Sequence, residues 1–161
     1  MTTGVRVRDL GPADLEWERQ IFTEAWSSTR MVTRGRLTEL TTLSGLVAEV
    51  EGRRAGLLTY RIEGGECEIT SLNGTIEGRG AGTALLLRVR EIARAAGCRR
   101  VWLVTSNDNL PALRFYQRRG YELVAVHRRS LEEARRLKPE IPSTGLYGIP
   151  LRDEIELEIM V

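Results

Sequence analysis

The chain is short of the residues from which metal centres and disulfide frameworks are built. Its 161 residues hold two cysteines, Cys67 and Cys98, and one histidine, His127. A structural zinc site takes about four Cys or His ligands in paired spacings. Three scattered candidates do not make one, so no metal is expected and the thiols are read as reduced and buried. An excess of one charge is lacking too. There are 24 basic and 22 acidic residues, a formal net charge of +2, which argues against a dominant partnership with nucleic acid or an anionic membrane. Lys138 is the only lysine. No apolar run approaches the roughly 20 residues that cross a bilayer, and "MTTGVRVRDLGPADLEWER" has no signal-peptide core. A soluble, cytoplasmic protein is expected. What is present, 42% hydrophobic and 29% charged residues without repeats, suits one domain over residues 1–161.

Hydrophobic periodicity orders the elements. "VRVRDL" (5–10) alternates as a half-buried strand does. "GPADLEWERQIFTEAWSS" reads as a helix with Pro12 in its first turn. Residues 27–45 have no clean period and read as irregular or briefly helical. "LVAEVEGRRAGLLTYRI" (46–62) gives two strands around an "EGRR" turn, and "EGG" (63–65) leads into a third, "ECEITSL" (66–72). On that strand Glu66, Glu68, Thr70 and Leu72 are expected on one face. A helix follows with an apolar stripe at Leu85, Val89, Ile92 and Ala96, closed by Gly97. "RRVWLVTS" (99–106) reads as a strand buried on both faces. "NDNLPALRFYQRRG" is a capped helix ending at Gly120. "YELVAVH" is a strand, "SLEEARRLK" a short helix, "PEIPSTGLYGIPLRD" a loop, and "EIELEIMV" a last strand. The fold class is α/β, a mixed sheet with helices on its faces.

Between the third strand and its helix stands "EGRGAGTALL" (77–86). Glycines at a helix start let a backbone approach a phosphate, and the helix N-terminus offers unpaired amides and partial positive charge. Walker A needs G-x-x-x-x-G-K-[ST], and there is no lysine here. The dinucleotide fingerprint needs G-x-G-x-x-G, whereas Gly78, Gly80 and Gly82 are spaced G-x-G-x-G. A pyrophosphate loop of a third kind and a glycine-rich turn without ligand both remain.

The segment "NDNLPALRFYQRRGYEL" matches N-x-x-A-x-x-F-Y-x-x-x-G-[FY] at Asn109, Ala112, Phe115, Tyr116, Gly120 and Tyr121. With R-G-x-G after a strand, the chain resembles the GNAT superfamily of acetyl-CoA-dependent N-acetyltransferases, over residues 46 to about 127. The resemblance implies a central mixed, mostly antiparallel sheet of six to seven strands flanked by helices. It implies acetyl-CoA as co-substrate, its pyrophosphate on the amides of Arg79, Gly80, Ala81, Gly82 and Thr83. Leu72 and Asn73 face pantetheine and acetyl, and Asn109 and Phe115 join the cofactor side. Glu77 departs from the family's Q/R-x-x-G-x-G/A. A carboxylate there repels a pyrophosphate unless it turns to solvent.

Acetyl transfer to an amine needs a neutral nucleophile, a donor to the oxyanion and a proton for the leaving thiolate. By resemblance Tyr116 gives that proton, as a phenol of pKa about 10 can, and the amide at Leu72 or Asn73 is the oxyanion donor. For the base the residues offer Glu68, Glu66, His127 or water. Glu68 ranks first because it is placed on the face of Leu72, while His127 titrates in a useful range. The acceptor side falls on residues 27–45 and 138–153. Arg30, Arg34 and Arg36 could grip a carboxylate. Asp153, Glu154, Glu156 and Glu158 could attract a cationic amine, or simply line an edge strand. The 138–153 segment suggests an ordered flap. The reading is an N-acetyltransferase acting on a small-molecule amine, with no nucleic acid or membrane partner and a homodimer as a modest expectation. Alternatives are protein or peptide N-acetylation, and a non-catalytic acyl-CoA-binding regulatory domain.

Overall fold

The structure, a computed structural model, describes residues 4–161. Among them the chain runs β1 (Val5–Asp9), α1 (Leu15–Trp26), β2 (Arg30–Thr33), β3 (Arg36–Glu39), β4 (Ser44–Val50), β5 (Arg53–Glu63) and β6 (Glu66–Gly74). It continues α2 (Ala81–Ala95), β7 (Arg100–Ser106), α3 (Leu110–Gln117), β8 (Glu122–His127), α4 (Ser130–Leu137) and β9 (Glu154–Met160). Seven strands form one sheet in the order β1-β4-β5-β6-β7-β9-β8, and β2 with β3 form a separate pair. This is the expected mixed, mostly antiparallel α/β sheet flanked by helices. No helix among the described residues is long and apolar enough to cross a membrane. Contacts divide the chain into two compact units. One holds the chain up to Thr29, Leu40–Val101 and Met160–Val161; the other holds Arg30–Glu39 and Trp102–Ile159.

In the first unit, β1, β4, β5 and β6 pair antiparallel. Two of their turns are X–Gly pairs with both residues at positive φ: Glu51 at 51° with Gly52 at 73°, and Gly64 at 58° with Gly65 at 74°. That is the two-residue hairpin geometry whose twist matches the strands. Phe22, Leu46, Leu57, Leu58, Leu85 and Val89 are fully buried in its core. The inner face of α2 is Ala81, Leu85, Leu86, Val89 and Ala93. Ala96 is exposed, since the helix has stopped. Gly97 at φ 76° lets Cys98 N donate to Ala93 O at 2.9 Å and Gly97 N to Arg94 O at 3.1 Å, the paired bonds of a Schellman stop. Cys67 and Cys98 are buried free thiols. Desolvation, then the neighbouring Cys98, pushes the Cys67 thiol up to about 12.

The second unit corrects the sequence reading in three places. Residues 27–45 are briefly helical as expected, in a 3-10 turn at Leu40–Thr42, but they are not otherwise irregular. They contain a β2–β3 hairpin turned at Arg34 (φ 48°) and Gly35 (φ 75°), the same X–Gly turn again. Glu154 Oε1 and Oε2 accept from Arg34 N at 3.3 Å, and Lys138 Nζ donates to Arg30 O at 2.8 Å. Val32 packs with Leu131 and Ala134, against Ile141 and Leu151. Next, β9 is no edge strand, for it lies between β7 and β8, and Glu154 and Glu156 are buried. Third, β7 is not buried on both faces. Val101 and Leu103 are buried while Trp102 and Val104 are half-buried, which is the alternation of a strand covered mainly on one side.

Candidate active site

The glycine loop is built by its own backbone needs. Gly78 and Gly80 sit at φ 73° and 79°, a region that favours glycine. Thr75 N and Ile76 N donate to Ala55 O at 2.9 and 3.3 Å, tying the loop to β5. Ala84 N donates to Gly80 O at 3.0 Å, so the amides of Ala81 and Gly82 precede the first helical bond and open the helix end. A Cβ at Gly56 would lie 3.1 Å from Leu85 Cδ1, 3.4 Å from Ala81 Cβ and 3.4 Å from Asn73 O. The bare backbone of Gly56 therefore lets the start of α2 and the end of β6 converge. This supporting residue was missed in the sequence; a small residue inside an apolar strand is its only signal. Glu77 is exposed, and Arg79 Nη2 reaches Glu51 Oε1 at 3.4 Å.

β6 carries a bulge that the sequence pattern did not show. Tyr60 pairs with Ile69 and Thr59 with Ser71, which leaves Thr70 extra. Thr59 Oγ1 touches both Thr70 Oγ1 at 2.7 Å and Ser71 Oγ at 2.6 Å, so two consecutive side chains share a face. One extra residue reverses the alternation beyond it. Glu68 therefore shares its face with Ser71 and Asn73, not with Leu72. Glu68 Oε1 accepts from Arg61 Nη2 at 2.9 Å in a nearly inaccessible ion pair. Glu66 is held by Arg99 at 2.9 Å and Arg100 at 3.0 Å; the Arg100 guanidinium, before all else, keeps its carboxyl below the usual value. Asn73 Oδ1 is buried with no hydrogen-bond partner, an acceptor waiting for a donor.

In the second unit, both ends of α3 explain the motif around it. Asn109 Oδ1 accepts from Ala112 N at 3.2 Å, the N-cap bond. At the other end Gly120, φ 91°, lets Tyr121 N donate to Tyr116 O and Gly120 N to Gln117 O, each at 3.1 Å. That Schellman stop folds the Tyr121 ring back to 5.4 Å from Tyr116, as its hydrophobic contact does. Phe115 meets Tyr116 edge-on at 5.3 Å, and its face carries the Arg119 guanidinium at 3.7 Å. Tyr116 is 7% exposed, and burial, with Tyr121 beside it, raises its phenol well above the ordinary value. It is protonated at any physiological pH and can donate. His127 Nε2 lies 2.9 Å from Glu156 Oε1.

Asp108, missed in the sequence, is 5% exposed. It accepts from the Ser106 hydroxyl and from Leu146 N at 2.7 Å. Asn107 Oδ1 accepts from Arg152 N at 3.1 Å and Asp153 N at 3.0 Å. Together they pin the 138–153 segment beside Asn109. Asp153 is engaged by Arg152 at 2.9 Å, which holds its carboxyl below the usual value ahead of other causes. Among the described residues no group of three His, Cys, Asp or Glu is placed to hold a metal.

Three comparisons bear on these features. The model of the acetyltransferase (GNAT) family matches residues 14–121. The uncharacterized protein YdhI of Bacillus subtilis is 46% identical over 135 residues, 83% of this chain and 84% of that protein. Among solved structures, a GNAT family acetyltransferase from Elizabethkingia anophelis with acetyl-CoA bound superposes with TM-score 0.72 at 15% identity, covering 99% of both chains. The ribosomal-protein-S18-alanine N-acetyltransferase of Escherichia coli does so with TM-score 0.69 at 15% identity, over 98% and 94% of the two chains.

Proposed function

Because the chain belongs to the acetyltransferase (GNAT) family, we propose that it moves an acetyl group from acetyl-CoA to a primary amine of a small molecule, by direct attack in a ternary complex. It does so as a single catalytic domain in the cytoplasm. The observation that carries the reading is the glycine loop: positive-φ glycines and open amides at the start of α2, with the orphaned Asn73 Oδ1 on the adjoining strand end. This donor and acceptor set suits a ligand with both a pyrophosphate and amide groups. Arg79, Gly80, Ala81, Gly82 and Thr83 hold the pyrophosphate by backbone amides, and Glu77 is turned to solvent. Leu72, Asn73, Asn109 and Phe115 complete the cofactor side.

When bound, acetyl-CoA supplies an activated thioester carbonyl. The amide of Leu72 or Asn73 donates toward the carbonyl oxygen. Tyr116 donates its phenolic proton to the departing sulfur. The amine proton goes to Glu68, His127 or water. The engagement of Glu68 by Arg61 and the pairing of His127 with Glu156 favour His127 as its receiver. The ordered 138–153 segment, anchored through Asp108, supports a small acceptor over an open peptide groove. The likeness to an enzyme named for a ribosomal protein keeps protein N-acetylation as the second reading.

A screen of primary amines and peptide N-termini for acetyl-CoA-dependent thiol release tests this. Turnover with a small amine, reduced about a hundredfold or more in Tyr116→Phe, is expected. Turnover with peptides alone overturns the acceptor class, and an unchanged Tyr116→Phe rate overturns the acid.

A further inference from the structure

β5 meets β6 in two registers. On one side of the bulge Tyr60 pairs with Ile69; on the other Thr59 pairs with Ser71, Leu58 with Leu72, Leu57 with Asn73 and Gly56 with Gly74. The step after Gly56 and Gly74 sets Ala55 opposite Thr75, and there Thr75 N donates to Ala55 O at 2.9 Å. Bonded and non-bonded pairs alternate along an antiparallel ladder. By that alternation Asn73 and Ser71 turn their amides toward β5, and the Leu72 N–H turns away from it. Were the first register to continue without the extra residue, the alternation would be reversed. The Leu72 amide would then enter the β5 ladder and the Asn73 amide would leave it. The bulge decides which of the two amides faces away from β5.

Thr59 grips the bulge. Its Oγ1 lies 2.7 Å from Thr70 Oγ1 and 2.6 Å from Ser71 Oγ. Neighbours on a regular strand point to opposite faces, so one hydroxyl reaches both only while the strand is bulged. Thr59 is fully buried, and Thr70 and Ser71 are each 5% exposed. Thr59 has one proton for two contacts, so at least one neighbour donates to it. Straightening the strand would carry one of the two neighbours to the other face, away from this partner, at the cost of a buried hydroxyl left unbonded. The reading above has an amide of Leu72 or Asn73 donate toward the thioester carbonyl, and the next step rests on it. We propose that Thr59 is a positioning residue, which keeps the bulge closed and so presents the Leu72 N–H, rather than that of Asn73, to the carbonyl oxygen.

The test reads the carbonyl of bound acetyl-CoA by difference infrared spectroscopy with an isotope-labelled acetyl group, and needs no acceptor. The native chain is expected to lower the carbonyl stretching frequency below its value in water, the signature of a fixed donor in a site shielded from solvent. Thr59→Val keeps the shape and loses the hydroxyl. It is expected to bind acetyl-CoA as the native chain does and to lose more than half of the lowering, while Thr59→Ser keeps it. With an amine found in the screen, kcat of Thr59→Val is expected to fall about tenfold or more. A lowering kept in full by Thr59→Val, or lost equally in Thr59→Ser, overturns the positioning role and leaves the donor reading standing. So does a loss of acetyl-CoA affinity as large as the loss of kcat, which marks a merely structural role. No binding or no lowering in the native chain overturns the reading of the site, and this proposal with it. Should Thr59→Val not fold, Ser71→Ala cuts one arm and leaves Thr59 in place. It is expected to lose part of the lowering, and an unchanged frequency overturns the proposal.

Discussion

Replacing Gly120 with alanine isolates the stop that positions Tyr116. Gly120 lies at φ 91°, where an L side chain is disfavoured by roughly 1–2 kcal/mol. Space is not the problem. A Cβ there would meet Ile159 Cδ1 at 3.4 Å, an ordinary contact, so the strain is in the backbone. The substitution also removes freedom from the unfolded chain, which returns about 0.5 kcal/mol. The net loss is about 1 kcal/mol, and in a domain of this size that lowers Tm by about 3 °C. Asparagine tolerates the left-handed region better, so Gly120→Asn should lose less than half as much. The same bonds seat Tyr121 against Tyr116. Gly120→Ala should therefore lower kcat and leave acetyl-CoA affinity unchanged. Thermal unfolding of the native chain and both variants decides the matter. An alanine variant as stable as the native chain, or an asparagine variant as damaged as the alanine one, refutes the helix-stop account.

Three other outcomes follow from named contacts. Asp14 is buried and bridged to Arg8 at 2.8 Å and Arg54 at 2.9 Å, so Asp14→Asn should cost about 3 kcal/mol, measured by urea unfolding. The Arg8 guanidinium, first among the causes, holds the Asp14 carboxyl well below the carboxylate range. Its stabilisation is full above the unfolded carboxyl value of about 3.9 and drains as pH falls toward the folded one. The native chain should thus lose stability below about pH 4 more steeply than Asp14→Asn does; parallel curves would contradict this. The Cys67 thiol, pushed up to about 12, should resist a disulfide reagent at pH 8 until the protein is unfolded, and rapid native labelling would count against its burial. Glu77→Gln, at an exposed position, should change acetyl-CoA affinity by no more than about fivefold; a larger gain would place the carboxylate against the pyrophosphate.

What the sequence revealed was local. The α3 motif is legible because both its ends are: Asn109 caps a group three residues on, and Gly120 and Tyr121 close bonds to Gln117 and Tyr116. The turns at Glu51–Gly52 and Gly64–Gly65 announce themselves through glycine at positive φ. "TRGR" carries the same signal at Arg34–Gly35, yet strands of four residues are too short for alternation to show, so the β2–β3 hairpin went unread. The β6 bulge depends on how many residues the partner strand supplies, and no one-strand pattern can show it. Asp108 looked like a capping residue because the amide it accepts from belongs to Leu146, 38 positions away. Burial of Glu154 and Glu156 depends on where β9 enters the sheet, which alternation alone does not specify.

The central claim is that the amides opening α2 hold acetyl-CoA. Thermal unfolding of the native chain with rising acetyl-CoA tests it most directly. A ligand at about 100 times its Kd stabilises by about 2.7 kcal/mol, so Tm should climb by about 5–10 °C, and Gly80→Val, which forces a branched side chain into φ 79°, should lose most of that rise. An unchanged Tm at millimolar acetyl-CoA would contradict the account.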